Sequence, residues 1–232
     1  MKIAIMQPYF LPYIGYFQLI SLVDKFIIYD DVNFIKRGWI NRNRILSNSS
    51  DLMISIPLEK ASQNKKINEH FISDQTDWKK KMLMNVKHSY NKAPYFESAF
   101  ELFEKILDYE EKELSPFLFN SINKLCSFLD IDTELISSSS IYNNQQLKGQ
   151  HRILDICLQE SGDHYINPTG GKLLYDKKYF DDNEVTLNFL ETDEIRYDQY
   201  GDKFVPFLSI LDVIMFNRKE SIKLFLNNYR LE

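Results

Sequence analysis

The first thirty residues contain a strand pattern, a helix pattern and a second strand pattern in close succession. Residues 1–6 (MKIAIM) and 25–29 (KFIIY) are short apolar runs with β-branched residues, and residues 14–24 between them have helical apolar spacing. Two strands joined by one helix over so short a distance form a βαβ unit, with parallel strands and a right-handed crossover. This unit predicts an α/β protein.

The rest of the chain extends the same alternation. Strand patterns follow at residues 51–58, 132–139, 164–168 and 184–191; three helical patterns occupy residues 77–130, and two more close the chain at 207–216 and 218–229. We predict a single domain over residues 1–232, a parallel doubly wound sheet with a helical insertion at 77–130 and C-terminal helices. The first strand should be central, with the second strand and 51–58 on one side, and 132–138 and 164–168 on the other.

Charge and missing motifs exclude several classes of protein. The net charge is −5, which predicts neither a nucleic-acid partner nor an anionic membrane surface. No apolar run approaches the roughly 20 residues of a membrane span. Cys126 and Cys157 lie in apolar helical patterns without CxxC spacing, so we expect buried free thiols in a cytoplasmic protein. The histidines lack ligand spacing, which predicts no metal site, and the GxGxxG, GxxxxGK[ST] and GxSxG motifs are absent.

The loop after the first strand, QPYFLPYIGY, is the first candidate site. A helix that begins just after a strand directs free N–H groups toward the ligand edge of the sheet, where they favour an anion. Prolines would stiffen this loop, the glycine would let a ligand approach, and polar side chains would reach it; the candidates are Gln7, Pro8, Tyr13, Gly15 and Tyr16. The alternative is an aromatic loop that packs on the insertion, with Gly15 serving only the turn.

The second candidate cluster begins where the second strand ends. Asp30 and Asp31 should lie at the same edge as the first loop, and either could act as a general base. The following segment combines planar cations with amides and Trp39, a combination that suits a phosphate with a stacked base or sugar. Its predicted anion-binding residues are Lys36, Arg37, Asn41, Arg42 and Arg44. The alternative is a surface strand.

Two further loops complete the predicted site. Lys148, His151 and Arg152 gather at the start of a helix, where Arg152 would bind phosphate and His151 could act as a general base or simply face solvent. The NPTGG loop would form a fourth wall, with Thr169 as a cap and backbone N–H groups at Gly170 and Gly171.

The residues Tyr13-Ile14-Gly15-Tyr16 partly resemble the His-x-Gly-His motif of nucleotidyltransferases and class I aminoacyl-tRNA synthetases, with both histidines replaced by tyrosine. The resemblance implies the frame of a nucleotide site in a nucleotidyltransferase-like (HUP-like) sheet. It does not supply the histidines that steady the nucleotide phosphates in those families.

Three stretches, MQPYFLPYIGYFQLI, DKFIIYDDVNFIKRGWINRNRI and HRILDICLQESGDHYINPTGG, resemble the WbqC-like family of bacterial proteins. The resemblance implies a role in O-antigen or other surface-polysaccharide synthesis: transfer of an acyl or aminoacyl group, such as glycine, to the amine of a nucleotide-linked amino sugar. An activated donor could be made from ATP and Mg²⁺ or come from a partner.

Two alternatives stay open at the level of sequence. The first is a non-catalytic protein of the same pathway that binds the nucleotide sugar or acts as a scaffold. The second concerns the aromatic-rich segment YNKAPYFESAFELFEKIL, which could form a homodimer or cap the active site.

Overall fold

The strands and helices follow the predicted order, with additions. A computed structural model describes residues 1–75, 77–201 and 203–232. In chain order its strands are β1 (Lys2–Met6), β2 (Lys25–Ile28), β3 (Arg42–Ser47), β4 (Ser50–Ser55), β5 (Glu134–Ile136), β6 (His164–Pro168), β7 (Thr186–Thr192) and β8 (Tyr229–Leu231). Its α-helices are α1 (Ile14–Leu22), α2 (Trp78–Tyr90), α3 (Phe96–Leu107), α4 (Leu114–Phe128), α5 (Gly149–Gln159), α6 (Lys177–Asp181), α7 (Ile210–Phe216) and α8 (Lys219–Leu226).

The central sheet is mostly parallel and has the strand order β5-β2-β1-β6-β7-β8. β1 and β2 are parallel neighbours, from Ile3 opposite Lys25 to Met6 opposite Ile28, which confirms the predicted βαβ unit. β1 is central, and β6 and β7 follow in parallel on its other side. The protein is therefore a mixed α/β protein.

Three features of the predicted sheet are wrong. The strand expected at 51–58 is β4, which pairs with β3 in a separate antiparallel hairpin. β5, expected on the far side of β1, lies beside β2, because long-range packing of the preceding helices decides where the chain returns. The chain end predicted as helix 218–229 forms α8 and then β8, which pairs with β7 antiparallel.

The predicted insertion contains the three helices α2, α3 and α4. α3 buries Ala99, Leu102, Phe103, Ile106 and Leu107, the spacing by which a helix presents one apolar face. These side chains belong to a large apolar cluster that also contains residues of β1, β2, α1 and α7. A second cluster, built on α5 and α6, packs against Ile3 and Ile5 of β1, whereas Ala4 joins the first cluster. Helices therefore cover both faces of the sheet.

Two expectations drawn from composition can be compared with the fold. Cys126 and Cys157 are buried free thiols, as predicted, and burial raises the pKa of each to about 12. Within residues 1–75, 77–201 and 203–232, no helix combines the length and apolar character that crossing a membrane requires.

The carboxyl ends of β1 and β6 separate. The ladder between them consists of Lys2–His164 and Ile3–Tyr165, whereas β6 and β7 pair from His164 to Pro168. The chain passes from β1 to β2 on one side and from β6 to β7 on the other, so the strand order reverses here. Open α/β sheets bind ligands at the carboxyl edge, beside such a reversal.

Candidate functional site

The loop between β1 and α1 is fixed by hydrogen bonds from distant residues. The Asn43 amide donates to the carbonyls of Phe10 and Leu11 at 3.1 and 2.7 Å, and Ser209 Oγ donates to Leu11 at 2.8 Å. Leu11 has φ of 47°, a conformation that costs energy for a residue with a Cβ. Pro8 is buried at the start of this loop. Hydrogen bonds from β3 and from the residue before α7 therefore hold the backbone of this loop.

The tyrosines of this loop have different surroundings. Tyr16 is buried, and its hydroxyl donates to the Gln7 carbonyl at 2.9 Å, so the loop already uses this group. Tyr13 is half-buried and faces open space. A Cβ added at Gly15 would collide with the Tyr13 ring. Gly15 therefore makes room for Tyr13, at the place where a ligand was expected to approach the backbone.

Asp30 and Asp31, at the end of β2, are both buried but have different partners. The Asp30 carboxylate accepts from Ser115 Oγ at 2.6 Å and from Ser138 Oγ at 2.7 Å. Asp31 forms a buried ion pair with Arg152, 2.5 Å between Oδ2 and Nη2, and also accepts from the Ser139 hydroxyl. Neutral hydroxyl groups thus bind the Asp30 carboxylate, whereas the Arg152 cation pairs with Asp31.

These partners shift the two pKa values in opposite directions. Burial raises the pKa of Asp30, although the hydroxyls of Ser115 and Ser138 act against this effect. Burial would also raise the pKa of Asp31, but hydrogen bonds from Arg152 and Ser139 outweigh it and hold this pKa below its usual value. At neutral pH, Asp31 is a fixed anion, and Asp30 is the stronger base of the pair.

The residues predicted on α5 point to different partners. Arg152 is buried, donates from Nε to Asn144 Oδ1 at 2.8 Å in addition to its ion pair, and so already uses donors that were predicted to bind phosphate. His151 is exposed, and its Nδ1 lies 2.7 Å from the Tyr179 hydroxyl. Lys148 is exposed at the N-cap. The structure therefore links Arg152, but not His151, to the acidic pair.

The side chains of the basic segment, residues 36–44, differ in their contacts: some bind the protein's own backbone, and others are exposed. Arg42 donates to the carbonyls of Arg37 and Gly38 and so closes the turn that precedes β3. Asn41 donates to the Ile56 carbonyl at 2.8 Å and joins this turn to the residue after β4. Lys36 and Arg37 are exposed. The five-residue anion site stays a prediction, and two of its members, Asn41 and Arg42, already form structural hydrogen bonds.

Arg44 lies one strand position beyond Asn43, on the same face of β3 as Arg42. Its guanidinium carbon is 5.6 Å from the centre of the Trp39 ring. A cavity of about 330 Å³ brings Arg44 and Trp39 together with Tyr13 from the first loop. The first and second predicted clusters therefore meet at this cavity, which we call the aromatic cavity.

The predicted fourth wall follows β6 directly. Thr169 begins a 3₁₀ turn that runs to Leu174, and Gly170 is exposed with open space where a side chain would be. Gly171 is buried against the Asn167 side chain, which a Cβ would strike. Gly171 is thus a packing glycine. The predicted cap is wrong, because Pro168 takes the cap position without a side-chain hydrogen bond and Thr169 is the first residue of the turn. Thr169 and Gly170 lie at the carboxyl edge of the sheet.

A second cavity, of about 450 Å³, lies beside Asp30. Its wall includes Asp30, Asn68, Tyr109, Ser115, Asn120 and Ser138. Among its described lining residues there is no lysine or arginine, and Glu113 adds a second carboxylate. We call this space the serine cavity. Its charge suits a cationic or uncharged polar ligand.

Sequence reasoning missed the serines that hold Asp30. Neither Ser115 nor Ser138 was among the residues predicted for the site. The two serines lie 85 and 108 residues from Asp30 along the chain. The only local signal is that residues 137–140, SSSS, follow a strand, where polar residues often belong to a site.

No metal centre emerges in the described part of the chain, in which no group of three or more His, Cys, Asp or Glu could hold an ion. At the acidic pair, Arg152 neutralises Asp31, and two hydroxyl groups donate to Asp30. These residues fit a magnesium ion poorly.

The fold and the site define an α/β protein that gathers charged, hydroxyl and aromatic side chains at the carboxyl edge of a mostly parallel sheet. The chain belongs to the WbqC-like protein family, whose model matches residues 7–224. It is 33% identical over 217 residues to the uncharacterised protein Rv1507c of Mycobacterium tuberculosis, an alignment that covers 92% of each chain. No solved structure matches the chain significantly.

Proposed function

We propose that the protein transfers an acyl or aminoacyl group to the amine of a nucleotide-linked amino sugar during surface-polysaccharide synthesis in the cytoplasm. The observation that carries this proposal is the contrast between Asp30 and Asp31. Two adjacent carboxylates whose environments push their pKa values apart are typical of acid–base sites. Asp30, with the raised pKa, lines the serine cavity. The described lining of this cavity contains no lysine or arginine, so an ammonium group is favoured there.

The proposal also takes the sheet to be a variant of the doubly wound, nucleotidyltransferase-like fold. Helices on both faces and the separation of β1 from β6 support it. A magnesium ion fits the acidic pair poorly, so in this proposal the acyl group reaches the site already activated, while the alternative of activation in place from ATP stays a prediction.

In the proposed reaction, the sugar ammonium gives a proton to the Asp30 carboxylate. The free amine then attacks the carbonyl carbon of the activated acyl group. A carbon–nitrogen bond forms, the bond from carbon to the leaving group breaks, and the second amine proton departs with the leaving group. Ser115 and Ser138 keep the carboxylate oriented, and the Asp31–Arg152 pair supports the end of β2.

The test is formation of an amide on UDP- and dTDP-linked amino sugars, with aminoacyl adenylates and acyl thioesters as donors, followed by mass spectrometry. Asp30→Asn should lower kcat by about 100-fold or more, as loss of a general base does. Asp132→Asn, at an exposed carboxylate, is the matched control. The parent rate should rise with pH and reach half its maximum above the usual carboxyl pKa, because Asp30 must be ionised.

Equal rates in Asp30→Asn and the parent would contradict the role of Asp30. Binding of a nucleotide sugar without any product would favour the alternative role, a nucleotide-sugar-binding or scaffold protein.

A further inference from the structure

The aromatic cavity has the composition of a site for a flat ring that carries a negative charge. Its walls include Tyr9, Tyr13, Trp39, Asn43, Arg44 and Phe207. No aspartate or glutamate is among its described lining residues. Aromatic side chains stack on any nucleobase, and a guanidinium binds phosphate.

Arg44 has unused donors at this cavity. A guanidinium has five N–H donors. Among the residues that the structure describes, one of them forms a hydrogen bond, from Nη2 to the Phe207 carbonyl at 3.3 Å, and Nε has no partner. The Asp51 carboxylate lies 3.7 Å from Nη1, and the Arg44 side chain is 27% exposed. Arg44 can therefore accept an anionic group without losing a protein contact.

Two of the four rings at the cavity are exposed, although large aromatic side chains are usually buried. Trp39 is 42% exposed and Phe207 is 72% exposed. Phe207 has φ of 56°, and the bond from Arg44 holds its carbonyl. A bulky residue in this conformation indicates a backbone held in place by its surroundings.

The floor of the cavity is preorganised. Asn43 binds the carbonyls of the first loop, the Ser209 N–H donates to the Arg44 carbonyl at 2.8 Å, and the Ile210 N–H donates to Pro12 at 2.9 Å. The loop after β1, strand β3 and the start of α7 are thus joined beneath the rings. A rigid site binds with less loss of conformational entropy than a mobile one.

We propose that the aromatic cavity is the nucleotide subsite, in which the base stacks on Trp39 and Phe207 and Arg44 binds the phosphate. This inference rests on the proposed function for the identity of the complete substrate. It keeps the stacking role that the sequence suggested for Trp39 and adds Tyr9 and Phe207, which the sequence did not single out. Among the arginines of the basic segment, it assigns recognition to Arg44 alone.

Tryptophan fluorescence reports this binding directly, because Trp39 is exposed and the other tryptophan, Trp78, is buried. UMP and AMP are titrated separately, with uridine and adenosine as phosphate-free probes. We expect saturable quenching by at least one nucleotide, and about tenfold weaker binding of its nucleoside. By calorimetry, Trp39→Leu and Arg44→Gln should each weaken the nucleotide about tenfold or more, whereas Arg218→Gln, at an exposed arginine of α8's N-cap, should not.

Absence of saturable binding by either nucleotide would overturn the inference, and so would parent-like affinity in Arg44→Gln and Trp39→Leu. Circular dichroism of each variant checks that it is folded. The two proposals fail separately. Unchanged nucleotide affinity in these variants, with transfer still dependent on Asp30, refutes only the subsite; nucleotide binding here without any transfer refutes only the reaction.

Discussion

Asp30 and Asp31 are neighbours in sequence, yet the fold gives them opposite electrostatic roles. Asp31 has a lowered pKa in the folded state, so its stabilisation is present above the unfolded pKa and is lost as pH falls through the folded pKa. Asp30 has a raised pKa, so its contribution is full below the unfolded pKa and is lost as pH rises through the folded pKa. Two adjacent residues thus carry one carboxyl group that is a fixed anion, Asp31, and one whose ionisation is disfavoured by burial, Asp30.

Stability of the asparagine variants should therefore depend on pH in opposite ways. Asp31→Asn leaves Arg152 buried without its anion and should cost about 3–5 kcal/mol of unfolding free energy at neutral pH, with a smaller cost near pH 3. Asp30→Asn should cost less at neutral pH than near pH 3, because the parent is destabilised by its buried charge only at neutral pH. Urea unfolding of the parent and both variants, at neutral pH and near pH 3, measures the cost of each substitution at each pH. If the two costs changed in the same direction with pH, the opposite pKa shifts assigned to Asp30 and Asp31 would be wrong.

The two tyrosines at the start of α1 allow a second comparison between single hydroxyls. Tyr16→Phe leaves the Gln7 carbonyl without its donor and should lower the unfolding free energy by about 1–3 kcal/mol. Tyr13→Phe removes a hydroxyl that is half-exposed at the aromatic cavity and should leave stability nearly unchanged. Thermal melts of the two variants, side by side, decide this; equal losses would show that both hydroxyls support the loop.

Among the elements, the βαβ unit was predictable because it is local. Alternating apolar patterns, a short connection and a fixed crossover hand leave one arrangement for β1, α1 and β2. The β3–β4 hairpin was not recognised, because its turn is Asn48-Ser49, both with positive φ, rather than the usual Asn-Gly. Its outward-facing arginines, Arg42 and Arg44, were interpreted as one ligand set, although Arg42 donates to the Gly38 carbonyl and Arg44 lies over the Trp39 ring.

For the candidate site, the sequence indicated where some residues lie but not which partners they have. Residues at strand ends were expected at the carboxyl edge, and the aromatic cavity does join Tyr13 to Arg44. The partners of these residues could not be predicted, because Ser115, Ser138 and Phe207 reach the site through contacts between distant parts of the chain. A single sequence contains no local pattern for such contacts.

One buried carboxylate ties several elements together away from this edge. Asp212, in the first turn of α7, accepts from the hydroxyls of Tyr90 at 2.8 Å and Tyr197 at 2.7 Å, and from Gln199 Nε2 at 2.6 Å. Tyr90 also accepts from the Leu46 N–H of β3 at 2.8 Å. The network therefore joins the end of α2 to α7 and to the hairpin.

Removing the Tyr90 hydroxyl, which has two partners in this network, should lower the unfolding free energy more than removing the Tyr197 hydroxyl, which has one. Tyr90→Phe leaves both the Leu46 N–H and Asp212 short of a partner and should cost about 2–4 kcal/mol, since each unpaired buried group costs about 1–3 kcal/mol. Tyr197→Phe leaves Asp212 with Tyr90 and Gln199 and should cost roughly half as much. Chemical unfolding of both variants measures the ratio, and a larger loss in Tyr197→Phe would contradict this account of the network.

For the whole molecule, the question is whether the sheet and the 77–130 helices form one cooperative unit. The Phe10 ring of the β1 loop lies 6.4 Å from the Phe117 ring of α4, and Phe117 in turn lies 6.0 Å from the Trp78 ring of α2. All three belong to the apolar cluster that includes strands β1 and β2. A continuous core of this kind predicts a single unfolding transition, as expected for one domain over residues 1–232.

The two tryptophans make this prediction measurable, because each lies in a different part of the chain. In Trp39→Phe, the remaining Trp78 reports the insertion, and far-UV circular dichroism reports all helices and strands. The urea transitions followed by Trp78 fluorescence and by circular dichroism should coincide in midpoint and slope. The reason is that Trp78, Phe10 and strands β1 and β2 share one apolar cluster, so exposing Trp78 also exposes the others. Trp78→Phe, which keeps Trp39 beside β3, is the reciprocal variant and should give coincident transitions as well. A Trp78 transition at lower urea than the dichroism would show instead that the insertion unfolds by itself, and that the prediction of one domain is wrong.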